Sequence, residues 1–268
     1  MTTVALEPEA TRATRSAPAT PIPFTRLASV ELRKSFNTRS GFWLLASIAI
    51  TALIATAATV AFAPNDELTY EAFATAIGFP MSVLLPVIAI LSVTSEWSQR
   101  SGLTTFTLVP RRSRTILAKG VVAIGIAVSS MLVALAIGAI GNVVGSAIAG
   151  VDTTWNISAI EFSYIVLANT LGLLVGFMLG VLIRNSAAAI VGYFVYSFVL
   201  PTLSMLLASS QDWFKNLQPW VDFNYAQSAL FNGSMTGEQW ANLGVTSLVW
   251  LVLPMAVGLR MIMRSEVK

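Results

Sequence analysis

The chain contains no cysteine and no histidine, and only 11% of its 268 residues carry charge. Each shortage removes a class of chemistry. Without cysteine there is no thiol nucleophile, no disulfide and no thiolate ligand for zinc or an iron–sulfur cluster, and cysteine usage says nothing about the redox compartment. Without histidine there is no Ser-His-Asp hydrolysis, no imidazole base and no His-ligated metal. No G-x-x-x-x-G-K-[ST] run occurs, so the chain has no usual cradle for ATP phosphates. The scarcity of charge excludes an ordinary soluble enzyme, whose surface draws on about 25% charged residues. No catalytic residue, resident cofactor or metal site is expected.

What is present is apolar. Hydrophobic residues make up 55% of the chain and the mean hydropathy is +0.73, which points to an all-α polytopic membrane protein. Charges divide the chain into six uncharged windows: Ser40–Asn65, Ala72–Ser95, Gly120–Val151, Phe162–Ile183, Asn185–Gln211 and Gln239–Leu259. Each exceeds the ~20 residues that cross a hydrocarbon core of ~30 Å. The expected spans are 42–63, 73–94, 116–140, 162–183, 187–208 and 241–262. Residues 1–23, rich in Ala, Thr and Pro, lack the apolar stretch of a cleavable signal and are expected to be a disordered tail. The transmembrane domain is expected to occupy residues 42–268.

Six spans put both termini on one side. That side receives every Lys and Arg except Lys215, while Asp66, Glu67, Glu71, Asp152, Glu161, Asp212, Asp222 and Glu238 fall on the other. The positive-inside rule makes the basic side cytoplasmic, in a plasma (inner) membrane. The formal net charge of +3 is thereby a topology signal and not a sign of nucleic acid. The windows hold no ionisable group at mid-depth, which weakens a stand-alone ion-coupled transporter.

Residues 24–41 precede the first span and place Phe24, Leu27, Val30 or Glu31, Leu32 and Phe36 at roughly helical spacing among Arg26, Arg33, Lys34 and Arg39. This pattern fits an amphipathic helix lying in the interface against anionic headgroups, the alternative being a basic stretch that only sets topology. In the loop SEWSQRSGLTTFTLVPRRSRTILAK, Glu96 and Arg100 stand at i,i+4 spacing, Gly102 permits a turn and Leu103, Phe106 and Leu108 supply apolar knobs. Pro110 ends the element, before the basic cluster Arg111, Arg112, Arg114 and Lys119. Such a short amphipathic element needs a partner groove.

The order Glu96, Gly102–Leu103–Thr104, Phe106, Leu108, Pro110, Arg112 or Arg114 and Lys119 resembles the corresponding loop of type-2 ABC exporter permeases. There the pattern runs roughly E…GT…LL..P..R……K, although Leu103 separates the glycine from the threonine here. With the six spans and the amphipathic helix, the resemblance covers most of the chain beyond residue 24. It implies that residues 96–110 form a coupling helix docked on a separate ATP-binding subunit, which would bind ATP and Mg. It also implies a second permease subunit as partner, alternating access as mechanism and export as direction. A secondary transporter and a non-transporting scaffold are the other readings.

Three further patterns complete the expectations. Gly172, Gly176 and Gly180 form a small-residue ladder for close helix packing, within the subunit or at a dimer contact, and Gly138, Gly141, Gly145 and Ala149 form a second. Pro80 and Pro86 invite kinks in the second span, either lining a pathway or fitting neighbours. Trp213, Phe214, Trp220 and Phe223, with Tyr225 and Phe231, mark segment 209–239 on the acidic side as an interfacial aromatic belt. The family resemblance instead implies a re-entrant helix pair there.

Overall fold

The computed structural model describes residues 22–98 and 112–264, and the expected tail at residues 1–23 lies outside them except for its last two residues. The protein is an all-α membrane protein. Six helices are long and apolar enough to cross a bilayer: Gly41–Phe62, Tyr70–Ser95, Ser113–Ala149, Ala159–Ile183, Ser186–Ser210 and Gly237–Arg264. In chain order, α1 is Phe24–Asn37, α2 Arg39–Phe62, α3 Tyr70–Ser98, α4 Arg112–Ala149 and α5 Ala159–Ile183. Next come α6 (Ser186–Ser210), the short α7 (Asp212–Val221) and α8 (Phe223–Ser228), and α9 (Gly237–Arg264).

Local chemistry sets the helix ends. Thr38 adopts extended backbone between α1 and α2, donates its hydroxyl to the Lys34 carbonyl and accepts from the Gly41 amide. It thus closes one helix and opens the next at a corner. Capping boxes start α5 at Ser158/Glu161 and α9 at Thr236/Gln239. The turn expected at Arg184 is a two-residue joint: Arg184 takes left-handed backbone at φ 57° and Asn185 caps α6.

Helix α4 corrects an expectation. It runs 38 residues, about 57 Å at 1.5 Å per residue, well beyond the 116–140 span. Its uncharged run continues to Ala149 with no breaker before Gly150, whose φ of 69° ends the helix. The opposite end reaches past the expected start and packs on α1.

The central helix is α5, which packs on α3, α4, α6 and α9. Half of its most apolar window is buried, against 11% for α2 and 6% for α6. Two apolar cores meet on it. One joins α2, α3 and α4 through Ile48, Leu85, Ala89 and Met131, and the other joins α6, α8 and α9 through Tyr193, Phe223, Leu230 and Leu251. Close approach is local. An added Cβ at Gly176 would stand 2.6 Å from the Pro86 carbonyl oxygen, and one at Gly180 3.3 Å from Ile90 Cα. Gly172 differs, because its only near neighbour is Gln227 Nε2 at 3.6 Å. It opposes a side chain from α8 and not a helix backbone. In the second ladder, the fully buried Phe73 side chain lies against Gly138 through Cβ and against Gly141 and Gly145 through its ring.

Candidate functional site

On the basic face, α1 lies against α4. The inward face of α1 carries Phe24, Leu27, Ala28, Glu31 and Ser35, whereas Val30, Leu32 and Phe36 are exposed. This face differs from the expected one because Glu31, a charged residue, is its most buried member. The Glu31 carboxylate accepts from Lys119 Nζ at 2.5 Å and from Lys34 Nζ at 2.7 Å. Lys119 is itself only 4% exposed. Burial alone would push the Glu31 carboxyl up, but the ammonium groups of Lys119 and Lys34 outweigh it and hold it below its ordinary value of 4.5. Of the expected basic cluster, Lys119 is a buried ion-pair partner and Arg114 is half-buried on the first turn of α4.

The residues expected to dock a partner lie between the two members of this joint in sequence, shortly before Lys119. Arg100, Gly102, Leu103, Thr104, Phe106, Leu108, Pro110 and Arg111 lie outside the described residues, as do the side chains of Glu96 and Arg112. The described flanks are the end of α3 and the start of α4. Thr94 on α3 bonds the Ser186 hydroxyl on α6 at 2.7 Å and donates to the Ile90 carbonyl. The α3 end is thus tied to the α5–α6 turn, and the α4 start to α1.

On the acidic face, α7 and α8 turn back into the bundle. Gln218 Nε2 donates to Ser204 Oγ at 3.1 Å, Asn224 Nδ2 to the Tyr196 carbonyl at 3.3 Å, and Trp250 Nε1 to the Val221 carbonyl at 2.7 Å. Tyr196 lies fourteen residues from the acidic end of α6 and Trp250 thirteen from that of α9, about 20 Å at 1.5 Å per residue. The chain then climbs: Gln227 Nε2 donates to the Ala168 carbonyl at 2.7 Å, and Gly233 (φ 76°) lies beside Glu161 at the start of α5. This is a re-entrant helix pair, with its tip at residues 221–224 halfway along the spans.

The tip corrects two expectations. Phe223 is 1% exposed and belongs to the core, whereas Trp213 and Trp220 are exposed and Phe214 is half-buried, touching Trp213 edge-on. Asp222, counted with the acidic loops, is carried to mid-span. No local pattern distinguishes a descending loop from one lying on the surface.

Proline explains the hydrogen bonding around the tip. Pro86 supplies no N–H to the Ser82 carbonyl, and the Tyr193 hydroxyl donates to that oxygen at 2.7 Å. Pro201 in α6 and Pro254 in α9 each follow one π-helical turn, Val195–Val199 and Leu248–Val252, in which Leu200 bonds Val195 and Leu253 bonds Leu248. The wide turns relieve the proline clash and expose backbone, a feature recurrent at functional sites. They face each other, with the Tyr196 and Trp250 rings 6.1 Å apart. Beside them is a cavity of about 160 Å³ lined by Ser82, Gly172, Tyr193, Ser197, Asn224 and Gln227 among others. Its polar groups are all neutral.

Neither a protein-family model nor a characterised protein matches the chain significantly. Among the described residues no group of three or more Asp or Glu side chains could hold a metal ion.

Proposed function

We propose that this chain is the membrane-spanning permease subunit of an ATP-driven ABC transporter, working as an exporter with a separate ATP-binding subunit and a second permease subunit. The observation that carries the reading is the buried Glu31–Lys119 joint. It fastens the interfacial helix to the base of α4, immediately after the loop that resembles a coupling helix. A push on that loop would then reach α1 and α4 together, and α3 would follow through its packing on α5. The re-entrant pair supplies a movable element on the opposite face, flanked by two π turns that can reshape at small cost in hydrogen bonds.

In this reading the positive-inside rule puts the basic face in the cytoplasm. Alternating access follows when closure of two ATP-bound subunits moves the loops, and the paired bundles open beside the re-entrant tips. The thinly covered α2 and α6 are the helices available to lipid and to the second subunit. This chain hydrolyses nothing itself.

The test is recovery of the tagged chain from its native membrane in mild detergent, followed by an ATPase assay. An ATPase subunit is expected to co-purify, and to be lost when residues 96–110 are replaced by a Gly-Ser linker. Recovery of the chain without any nucleotide-binding partner refutes the reading.

A further inference from the structure

Among the described residues, Asp222 is the carboxylate that the fold carries deepest along the spans. The residues on either side of it are pinned at mid-span: Val221 by the Trp250 indole on α9, and Asn224 by its bond to the Tyr196 carbonyl on α6. Asp66, Glu67, Glu71, Asp152, Glu161, Asp212 and Glu238, by contrast, lie at or near the acidic ends of the helices. An ionised carboxylate at such depth is costly unless it is paired, and ionisable groups inside membrane bundles mark ligand or ion paths.

The Asp222 carboxylate has only partial compensation. It accepts from the Tyr225 amide at 3.1 Å, an N-cap bond. Among the described residues no Lys or Arg forms an ion pair with it. Tyr196, 9% exposed and within electrostatic reach of Asp222, has the Asn224 side chain beside its hydroxyl but no hydrogen bond within 3.5 Å among the described residues. A carboxylate met by one backbone amide and no cation, and a hydroxyl with no close partner, therefore share one deep site.

The surroundings define what would answer them. Trp250 and Tyr196 are in ring contact beside the tip, and aromatic faces attract cations, quaternary ammonium groups in particular. The adjoining cavity of about 160 Å³ offers neutral oxygens and no competing positive charge. Phe198, one of its lining residues, is 46% exposed and offers an apolar surface to a tail.

The geometry points to a binding site for a lipophilic ammonium cation, with the charged head at Asp222 and the Tyr196–Trp250 rings and the tail against Phe198. The inference deepens the transport reading by naming a cargo class. Binding itself depends only on this chain.

The test uses the full chain in nanodiscs and two probes with the same tail, decyltrimethylammonium and the uncharged decyl maltoside, below their micellar concentrations. Isothermal titration is expected to show saturable binding of the cation, weakened at least about tenfold in Asp222→Asn, with the maltoside indifferent to the change. Asparagine caps helices as well as aspartate does, so this variant removes charge and keeps the cap. Asp222→Ser, another good cap, serves where the asparagine variant is not recovered folded. Absence of saturable cation binding, or equal binding by wild type and the charge-free variants, overturns the site and leaves the ATPase experiment unaffected. Absence of an ATPase partner overturns the transport reading and leaves this binding result standing.

Discussion

Replacing Gly176 by alanine tests the packing argument most directly. The new methyl carbon would stand 2.6 Å from the Pro86 carbonyl oxygen and 2.8 Å from its Cα and Cβ, where ordinary contact begins at 3.4 Å. The shortfall is about 0.8 Å (3.4 less 2.6), and the obstacle includes backbone, so no side chain can swing aside. If α3 and α5 part by that amount, atoms lining the seam lose roughly a quarter to a half of their dispersion energy. The seam includes Leu85, Ala89, Ile90, Leu173 and Phe177, all buried. Overpacking of this kind costs about 1–3 kcal/mol, and removing a helical glycine returns about 0.5–1 kcal/mol. A net loss of up to about 2.5 kcal/mol is expected. Gly180→Ala meets Ile90 at 3.3 Å and should come out near neutral. Gly172→Ala meets nothing closer than 3.6 Å and should gain up to about 1 kcal/mol from helix propensity. Thermal unfolding of the three variants in one detergent resolves this order, since 1 kcal/mol moves the midpoint by roughly 2–4 °C in a chain of this size. A Gly176→Ala protein as stable as Gly172→Ala would refute the reasoning.

The Glu31 joint makes stability depend on pH. Its native carboxyl titrates below the ordinary 4.5, so its contribution is complete above that value and is lost as pH falls through the depressed native value. Amide protection across residues 24–37, with exchange normalised to the intrinsic rate at each pH, should fall on acidification below pH 4.5 in wild type, and Glu31→Gln should abolish that dependence; an unchanged acid profile in the variant would count against the pairing. Lys119→Met should cost up to about 3–5 kcal/mol by leaving the buried Glu31 carboxylate with Lys34 as its remaining cation, and Glu31→Gln combined with Lys119→Met should recover much of the loss; thermal midpoints of the single and double variants measure both. Phe73→Ala should lose about 3–5 kcal/mol by emptying the groove lined by Gly138, Gly141 and Gly145, read as a lowered thermal midpoint. Tyr193→Phe should cost about 1–3 kcal/mol because the Ser82 carbonyl freed by Pro86 loses its donor, and a wild-type midpoint would show that another group satisfies that oxygen.

Much of the architecture was legible in one dimension. Runs without charge announce spans because a charge at bilayer depth is expensive, so all six were found, as was the segregation of Lys and Arg to one side. The tight turn at Arg184 was read from its charge between two apolar runs, whereas the corner at Thr38, inside the expected 24–41 helix, was not. The extension of α4 was missed because an apolar helix gives no local sign that it has outrun the membrane. The glycine ladder was readable as small residues at helical spacing. That Gly176 meets Pro86 while Gly172 faces Gln227 depends on which helix lies opposite.

The candidate site was the least legible part, because its partners are far apart in sequence. Glu31 and Lys119 stand 88 residues apart, and each alone reads as a surface charge; only the docking of α1 on α4 buries and pairs them. Asp222 reads as one more acidic loop residue until α7 and α8 fold back and bring it beside Tyr196 and Trp250. Hydropathy and spacing report how a segment meets its immediate solvent, so by itself the sequence determined the medium, the number of crossings and the charge asymmetry. Tertiary structure decided which charges are buried, which glycines touch backbone and how deep a polar loop descends, since these follow from long-range packing that no local pattern encodes.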